Sequence, residues 1–334
     1  MMLTLSRQSR VCVLGAGSWG TALALYFSTC FDQVHLWSFD PSEASRLQAD
    51  RENKQYLPGV SFPENLHIDH SLDGLLASET LVIVAVPSHV FAETLSKLNT
   101  LKKNISAVVI ATKGVTSTGE FLHNVSQHVL GETCPLALLS GPSFAKEVAQ
   151  AMPTSITLAC NQNDLLEQLA PLLHSAIFRI ETSTDLTGVA LGGLVKNVVA
   201  IAVGLSDGLG FGANARAALI TRGVQEMYLM AQAMGAKTET VMGLAGLGDM
   251  VLTTTDNQSR NRRFGLALGQ GLSMDEAQTQ IGQVVEGKSN VKELMILAER
   301  YQQYLPICQQ IFEVVYNGLP GQQAMQNILD NHTA

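Results

Sequence analysis

The chain has 334 residues, 46% of them hydrophobic and 15% charged, enough for about two domains with buried cores and too apolar for a disordered polymer. Its 29 acidic residues against 21 basic ones leave a net charge of −8, which argues against nucleic acid or an anionic membrane as the main partner. Any anion site must therefore be a local cluster of basic groups.

Residues 1–10 contain no apolar signal core, and the apolar runs at 81–86 and 198–203 fall far short of the roughly 18–20 residues that span a bilayer. No membrane insertion is expected. Cys12, Cys30, Cys134, Cys160 and Cys308 are odd in number, widely spaced and without a Cys-x-x-Cys pair. That usage predicts free thiols in a reducing, cytoplasmic setting, with no disulfide framework and no metal site.

Up to about residue 180, short apolar runs alternate with longer helical stretches. Residues 11–14, 34–37, 81–86, 107–111, 136–139 and 155–159 read as strands. Apolar runs without alternation fit a parallel sheet covered by helices on both faces. The first half is thus predicted to be an α/β, doubly wound Rossmann-type domain over residues 1–185.

The first strand runs into Gly15-Ala-Gly17-Ser-Trp-Gly20 and then a helix. In that order Gly15 makes a tight turn, Gly17 admits a pyrophosphate close to the backbone, and Gly20 lets helix and strand pack. The helix start, with its unpaired N–H groups and positive dipole end, then holds the phosphates. Asp40, 20 residues after Gly20, reads either as the acceptor of a ribose 2′-hydroxyl or as the N-cap of the helix entered at Pro41. Later strands end at Lys113 and just before Gly141 and Ser143, which places these three where ligands of open α/β sheets collect.

Beyond residue 180 strand signals stop. Residues 185–204, 213–234, 289–301 and 307–316 read as helices, joined by Gly-rich loops at 207–212 and 243–248, and an all-helical domain is predicted over 186–334. Gly188, Gly192 and Gly193 each cost a helix roughly 1 kcal/mol against alanine, so something should offset them. Gly192 with Lys196 and Gly193 with Asn197 are i, i+4 pairs on one face; the glycines would open room for a ligand beside the two polar side chains. Lys196 stands among Leu194, Val195, Val198 and Val199, and desolvation there would tune it for proton transfer. The alternative is a surface lysine that keeps its charge in water. Arg260, Arg262 and Arg263 fall within four positions, beside Ser259 and Asn261, and the arginine fork suits phosphate oxygens. One or two of the three arginines would then face solvent instead.

Read together, the chain resembles the bacterial NAD(P)-dependent glycerol-3-phosphate dehydrogenases. The resemblance runs in order through GAGSWGTALA at 15–24, NKQYLPG at 53–59, VPSHV at 86–90, ATKG at 111–114 and SGPSFAKEV at 140–148. It continues through GGLVKNV at 192–198, NARAALITRG at 214–223, GLAGLGD at 243–249, SRNRRFG at 259–265 and VVEG at 284–287. It implies a dinucleotide site lined by Ser18, Trp19, Phe39, Lys113, Ala145, Arg260, Val284 and Glu286. It implies a site for a small-molecule phosphate substrate lined by Lys113, Gly141, Ser143, Lys196, Asp249, Ser259, Arg260 and Asn261, with Lys196 as the catalytic proton donor and acceptor. The implied reaction is reversible hydride transfer between NAD(P)H and dihydroxyacetone phosphate, giving sn-glycerol 3-phosphate for phospholipid synthesis. Three cations around Lys196 would then add to the effect of desolvation. Relatives often carry His or Arg where this chain has Phe39; NAD and NADP both stay open. Pairing of the helical domain in a homodimer is compatible with the resemblance. The rival readings are a 3-hydroxyacid or phosphogluconate-type dehydrogenase of the same architecture, and a non-catalytic NAD-sensing regulator. The first would not need the Ser259–Arg263 cluster, and the second could keep the glycine loop but would have no need of Lys196 in a glycine-opened helix face.

Overall fold

The apolar runs of the first half become the central strands of one eight-stranded sheet. The structure is a computed structural model that describes residues 5–75, 80–101 and 105–330; residues 1–4 of the N-terminal stretch discussed above lie outside them. The chain divides into two compact units, Met1–Lys113 with Phe121–Leu186 and Gly114–Glu120 with Thr187–Ala334.

In the first unit the elements follow in the order β1 (Arg10–Leu14), α1 (Ser18–Phe27), β2 (Val34–Trp37), α2 (Pro41–Asp50), β3 (Glu52–Asn53), β4 (Leu57–Ser61), β5 (Leu66–Asp69), β6 (Thr80–Val84), α3 (Ser88–Thr100) and β7 (Ile105–Ile110). Then come α4 (Leu122–Leu130), β8 (Leu136–Ser140), α5 (Ala145–Ala149), β9 (Thr154–Ala159), α6 (Asn163–Leu173) and β10 (Phe178–Ser183). The sheet order is β10-β9-β8-β7-β6-β1-β2-β5, and β3 and β4 form a separate antiparallel pair. From β5 to β8 all neighbours are parallel. This is a doubly wound Rossmann-type unit, with its strand order reversing at β1, flanked by β2 and β6.

Two features depart from the sequence reading. The sheet is not parallel throughout, because β9 runs antiparallel to β8 and β10 then parallel to β9. The link from β8 to β9 carries only the five-residue α5, and an antiparallel return needs no full crossover. Strand sequence also continues to Ser183, past the point where its signals fade. The unanticipated β5 and β10 are the two edge strands, and exposed residues interrupt both. Their apolar residues are too few to form the continuous runs that reveal β1 or β6.

The second unit holds α7 (Leu186–Gly208), α8 (Gly212–Ala233), α9 (Thr238–Met242), a π-helical turn (Leu244–Gly248), α10 (Asp249–Thr255), α11 (Arg260–Gly269), α12 (Met274–Ile281), α13 (Glu286–Arg300), α14 (Pro306–Asn317) and α15 (Gly321–Asp330). Helix α7 is long and apolar enough to cross a membrane by length and composition, and 94% of that stretch is buried inside the protein. It is hydrophobic on every face because it is the core helix of its unit. The supposed loop at 243–248 is helical from Leu244 on, and α7 continues four residues beyond 204, through Gly208.

Helices α7 and α11 touch backbone to backbone. A Cβ on Gly204 would lie 2.0 Å from the carbonyl oxygen of Arg262, and one on Gly265 2.0 Å from that of Ile201. Gly208 and Gly269 repeat the contact one turn on, where each Cβ would lie 2.8 Å from the other's Cα. Two glycines spaced by four on each helix let the axes approach to this degree.

Candidate active site

The glycine loop after β1 has the properties a dinucleotide needs. Gly15 has φ +109°, and a Cβ there would lie 2.8 Å from the Ala85 carbonyl oxygen; only glycine takes that conformation at that spacing. A Cβ on Gly20 would meet the Gly15 oxygen at 1.9 Å. Gly17 is different: a Cβ there would meet nothing within 4 Å, so the loop presents bare backbone to open space. Gly17 is also the N-cap of α1, whose first turn has neither a side-chain cap nor an acidic residue. Its N–H groups and dipole end are left for an anion. The Trp19 indole N–H is buried without a hydrogen-bond partner, another donor at the same place. These residues fit a dinucleotide.

Asn53 supports this loop, although sequence reasoning gave it no role. Its buried amide donates to the Ala16 carbonyl and to the Thr21 hydroxyl, both at 2.8 Å, and its oxygen accepts from the Tyr56 N–H at 3.1 Å. The Ser18 hydroxyl donates to the Tyr56 carbonyl at 2.8 Å. The motif NKQYLPG thus braces the loop from the β3–β4 hairpin. At the end of β2, Asp40 caps α2 by accepting from the Ser42 N–H at 2.8 Å, and the Glu43 carboxylate accepts from the Ser38 hydroxyl. Phe39 between them is 79% exposed.

Further along the same carboxyl edge, Lys113 lies just beyond β7 and is half-buried. Gly141 follows β8 with φ +148°, a Cβ there would lie 3.2 Å from the Ile156 Cα, and the Ser143 hydroxyl donates to the Gly141 carbonyl at 3.0 Å. Ala145 opens α5.

The second unit brings Lys196 against Asp249 and Asn197 against Asn261, partners 53 and 64 positions apart in sequence. Lys196 projects from α7 and is 5% exposed, so it is not a surface lysine; its Nζ pairs with the Oδ1 of Asp249, which is 1% exposed. That same Oδ1 accepts from the Thr253 hydroxyl at 3.3 Å. A carboxylate in contact favours the charged ammonium and opposes the effect of burial. The surroundings of Lys196 thus contain an opposing anion, not the cations alone that were expected.

Gly192 explains how Asp249 gets there. A Cβ at Gly192 would lie 2.1 Å from the Ala245 carbonyl oxygen. The missing side chain therefore admits the π-helical turn, not a ligand as the sequence suggested. With the turn seated on Gly192, α10 starts at Asp249 one helical turn along from it, against Lys196.

Helix α11 starts at Arg260, with Ser259 as its N-cap accepting from the Arg262 N–H at 3.2 Å. Of the arginine cluster, Arg262 is committed inside the protein. It is 7% exposed and donates to the Thr254 carbonyl at 3.0 Å, to the Asp207 carboxylate at 2.5 Å and to the Asn257 side chain. The same Asp207 holds Arg216 by three bonds of 3.0–3.1 Å. Arg262 is thus neither a phosphate fork nor solvent-facing. Arg260 is half-buried and makes no hydrogen bond or ion pair among the described residues, so its fork is available to an anion.

Asn261 lies in a buried line of amides. Its Oδ1 accepts from the Gly287 N–H at 2.9 Å and its Nδ2 donates to the Asn197 Oδ1 at 2.8 Å. Asn197 in turn donates to the Asn290 Oδ1 at 2.8 Å and, more weakly, to the Gly193 carbonyl at 3.3 Å. Asn290 donates to the Glu293 carboxylate at 2.9 Å. Val284, 58% exposed, and Glu286, the first residue of α13, lie just before this line. Nothing in the helical periodicity of α13 flags Asn290 or Glu293, since a polar residue in a helix usually faces water.

Two family models match the chain: NAD-dependent glycerol-3-phosphate dehydrogenase N-terminus over residues 10–166 and C-terminus over 185–326. A glycerol-3-phosphate dehydrogenase [NAD(P)+] of Shewanella oneidensis is 49% identical over 97% of this chain and 97% of its own length. One of Klebsiella pneumoniae is 49% identical over 95% of this chain and 94% of its own. A crystal structure of glycerol-3-phosphate dehydrogenase from Coxiella burnetii superimposes with a TM-score of 0.94 at 43% identity, covering 97% of this chain and all of that one. A D-mandelate dehydrogenase shares the fold at a TM-score of 0.65 and 13% identity.

Proposed function

The chain belongs to the NAD-dependent glycerol-3-phosphate dehydrogenase family, and from that premise we propose how its residues divide the work of one reaction. The protein is an oxidoreductase that interconverts dihydroxyacetone phosphate and sn-glycerol 3-phosphate with NAD(P)H. The bound nicotinamide supplies the hydride for C2 of the substrate and takes it back in the reverse direction.

Lys196 holds the proton. As the C2 carbonyl becomes a hydroxyl, its oxygen takes the proton from the Lys196 Nζ, and the same nitrogen recovers it in the reverse direction. Asp249, held by Thr253, keeps the ammonium charged and fixed until transfer. The buried Lys196–Asp249 pair is the observation that carries this assignment, because taking two charges out of water is costly and apolar packing would serve stability as well.

Arg260 and the second amide N–H of Asn261 hold the substrate phosphate, beside the Ser259-capped end of α11, where the dipole favours an anion. Lys113, Gly141 and Ser143 complete the substrate set. Gly15, Gly17, Ser18, Trp19, Gly20, Phe39, Lys113, Ala145, Arg260, Val284 and Glu286 hold the dinucleotide. Phe39 offers no cation to a 2′-phosphate, and NAD and NADP both remain cofactors of this reading. The five free cysteines suit a cytoplasmic location, a homodimer through the helical unit is part of the proposal, and the product feeds phospholipid synthesis.

The test is NADH or NADPH oxidation with dihydroxyacetone phosphate, with 2-keto acids as controls, in the wild type and Lys196→Ala. Turnover is expected with the phosphate alone, and the variant should lose about 10²-fold or more in kcat while still binding NADH. Near-normal kcat in Lys196→Ala would remove that residue from the chemistry.

A further inference from the structure

The line of amides that reaches Asn261 has a direction, and its far end is a carboxylate. Each asparagine donates from nitrogen and accepts at oxygen, so a chain of them runs one way or the other. Here the Gly287 N–H, a fixed donor, sets one end by facing the Asn261 oxygen. Glu293 closes the other end, where its carboxyl oxygen accepts from the Asn290 nitrogen. Between them every amide points its nitrogen toward Glu293. The members are 2–7% exposed, and a reversed amide would leave a buried donor facing a donor.

The direction matters at Asn261. With its oxygen held by the Gly287 N–H, the Asn261 amide has only N–H to offer its other neighbours. One hydrogen goes to Asn197, and the other is left for a phosphate oxygen. An amide turned the other way would aim a lone pair at an anion. Glu293 also accepts from the backbone N–H of Val115, two residues beyond Lys113, so the same carboxylate anchors the chain leaving that lysine.

Resting on the phosphate-site reading above, we infer that Glu293 is a positioning residue: through Asn290 and Asn197 it holds Asn261 with its N–H toward the substrate phosphate. Glu293 touches neither substrate nor cofactor in this role. Burial pushes its carboxyl up from the usual carboxylate range to about 7, the two hydrogen bonds from Asn290 and Val115 pull it down, and the Glu286 charge raises it.

The experiment compares dihydroxyacetone phosphate with unphosphorylated dihydroxyacetone, which has no phosphate to hold. In Glu293→Leu and in Asn290→Leu the KM for dihydroxyacetone phosphate should rise at least about fivefold. The kcat/KM for dihydroxyacetone and the Kd for NADH should stay within about twofold. Glu293→Gln keeps an oxygen acceptor toward Asn290 and should return the KM to within about threefold of wild type. A merely structural role would lower both substrates and NADH binding together, and that result overturns the inference, as does an unchanged KM. Should the leucine variants not fold, the near-isosteric Asn290→Asp replaces the donor with an acceptor facing Glu293, and a KM within twofold of wild type there rejects the idea. Arg260→Ala is run alongside. With NADH saturating, so that the place of Arg260 in the dinucleotide set does not enter, a loss equal for both substrates means that the phosphate-site reading fails and the inference falls with it. If Arg260→Ala is selective for the phosphate and the Glu293 variants are not, the inference alone is wrong.

Discussion

Glu226, on α8, turns a buried carboxylate into a pH dependence of stability. It accepts from the backbone N–H groups of Ile307 and Cys308 at 2.5 and 3.3 Å, the open first turn of α14. Burial pushes its carboxyl from the model-compound 4.5 up to about 7, against hydrogen bonds from Cys308 and Ile307 that pull it down. The folded protein thus holds this proton more tightly than the unfolded chain does. Its contribution to stability is full below about pH 4.5 and is lost as pH rises through about 7. The shift corresponds to about 3 kcal/mol. His123 works the other way, since burial lowers it from 6.5 to about 4, and its share is lost as the pH falls. Subtracting the curve of Glu226→Gln isolates the glutamate: relative to that variant, wild type should lose about 3 kcal/mol between about pH 4.5 and 8 in thermal or urea unfolding. A constant difference across that range rules the burial account out. Residues differ in how far the sequence announces them. Gly15 and Gly20 were legible because their backbone geometry and packing admit only glycine. Lys196 was legible as an odd charge in an apolar helix. Asn290, Glu293 and Glu226 were not, because their partners are distant in sequence and a polar residue on a helix ordinarily faces water.

Helix α7 gathers the second unit around itself by close backbone contact, and the cost of filling one contact is measurable. In Gly204→Ala the new Cβ would have to move from 2.0 Å off the Arg262 carbonyl oxygen, which means parting α7 from α11. Overpacking of this kind costs about 1–3 kcal/mol or more, a fall in Tm of several degrees. Gly17→Ala is the control. Its Cβ meets open space and its φ of −70° suits any residue, so Tm should hold while NADH affinity falls. Equal Tm for wild type and Gly204→Ala would contradict the contact. The glycines of α7 were visible in the sequence as an anomaly, but their purpose was misjudged at Gly192. A glycine reports that something comes close without reporting whether the neighbour is a ligand or another stretch of backbone. The central strands were legible because both faces are buried; the edge strands β5 and β10, half-exposed, carry too few apolar residues to stand out.

The chain passes between its two units at three places, not one: after Lys113, after Glu120 and after Leu186. The seven residues Gly114–Glu120 are rich in Gly, Ser and Thr, which reads as a loop and says nothing of which unit holds it, so a boundary placed near residue 185 had no reason to include them with the helices. Within the second unit Arg300 holds this segment by donating to the Gly119 and Thr118 carbonyls at 2.9 and 2.8 Å. Gly119, with φ +71°, lies against Ile296 and Leu297. Arg300 and Thr118 are exposed, so removing the guanidinium should cost only about 1 kcal/mol and loosen the segment toward protease. Limited proteolysis of Arg300→Ala is therefore expected to cut between residues 114 and 120 much faster than wild type; an unaltered cleavage map would mean the segment is held by other contacts. The triple passage also bears on how such a protein is inherited. Two genes recombining at a single point near residue 186 would yield a chimera whose helical half comes from one parent and whose Gly114–Glu120 strap comes from the other. The strap must fit Arg300, Ile296 and Glu293 of its host. A single-crossover exchange is therefore filtered by strap compatibility, and a working graft needs the short segment carried along as a second, separate insertion.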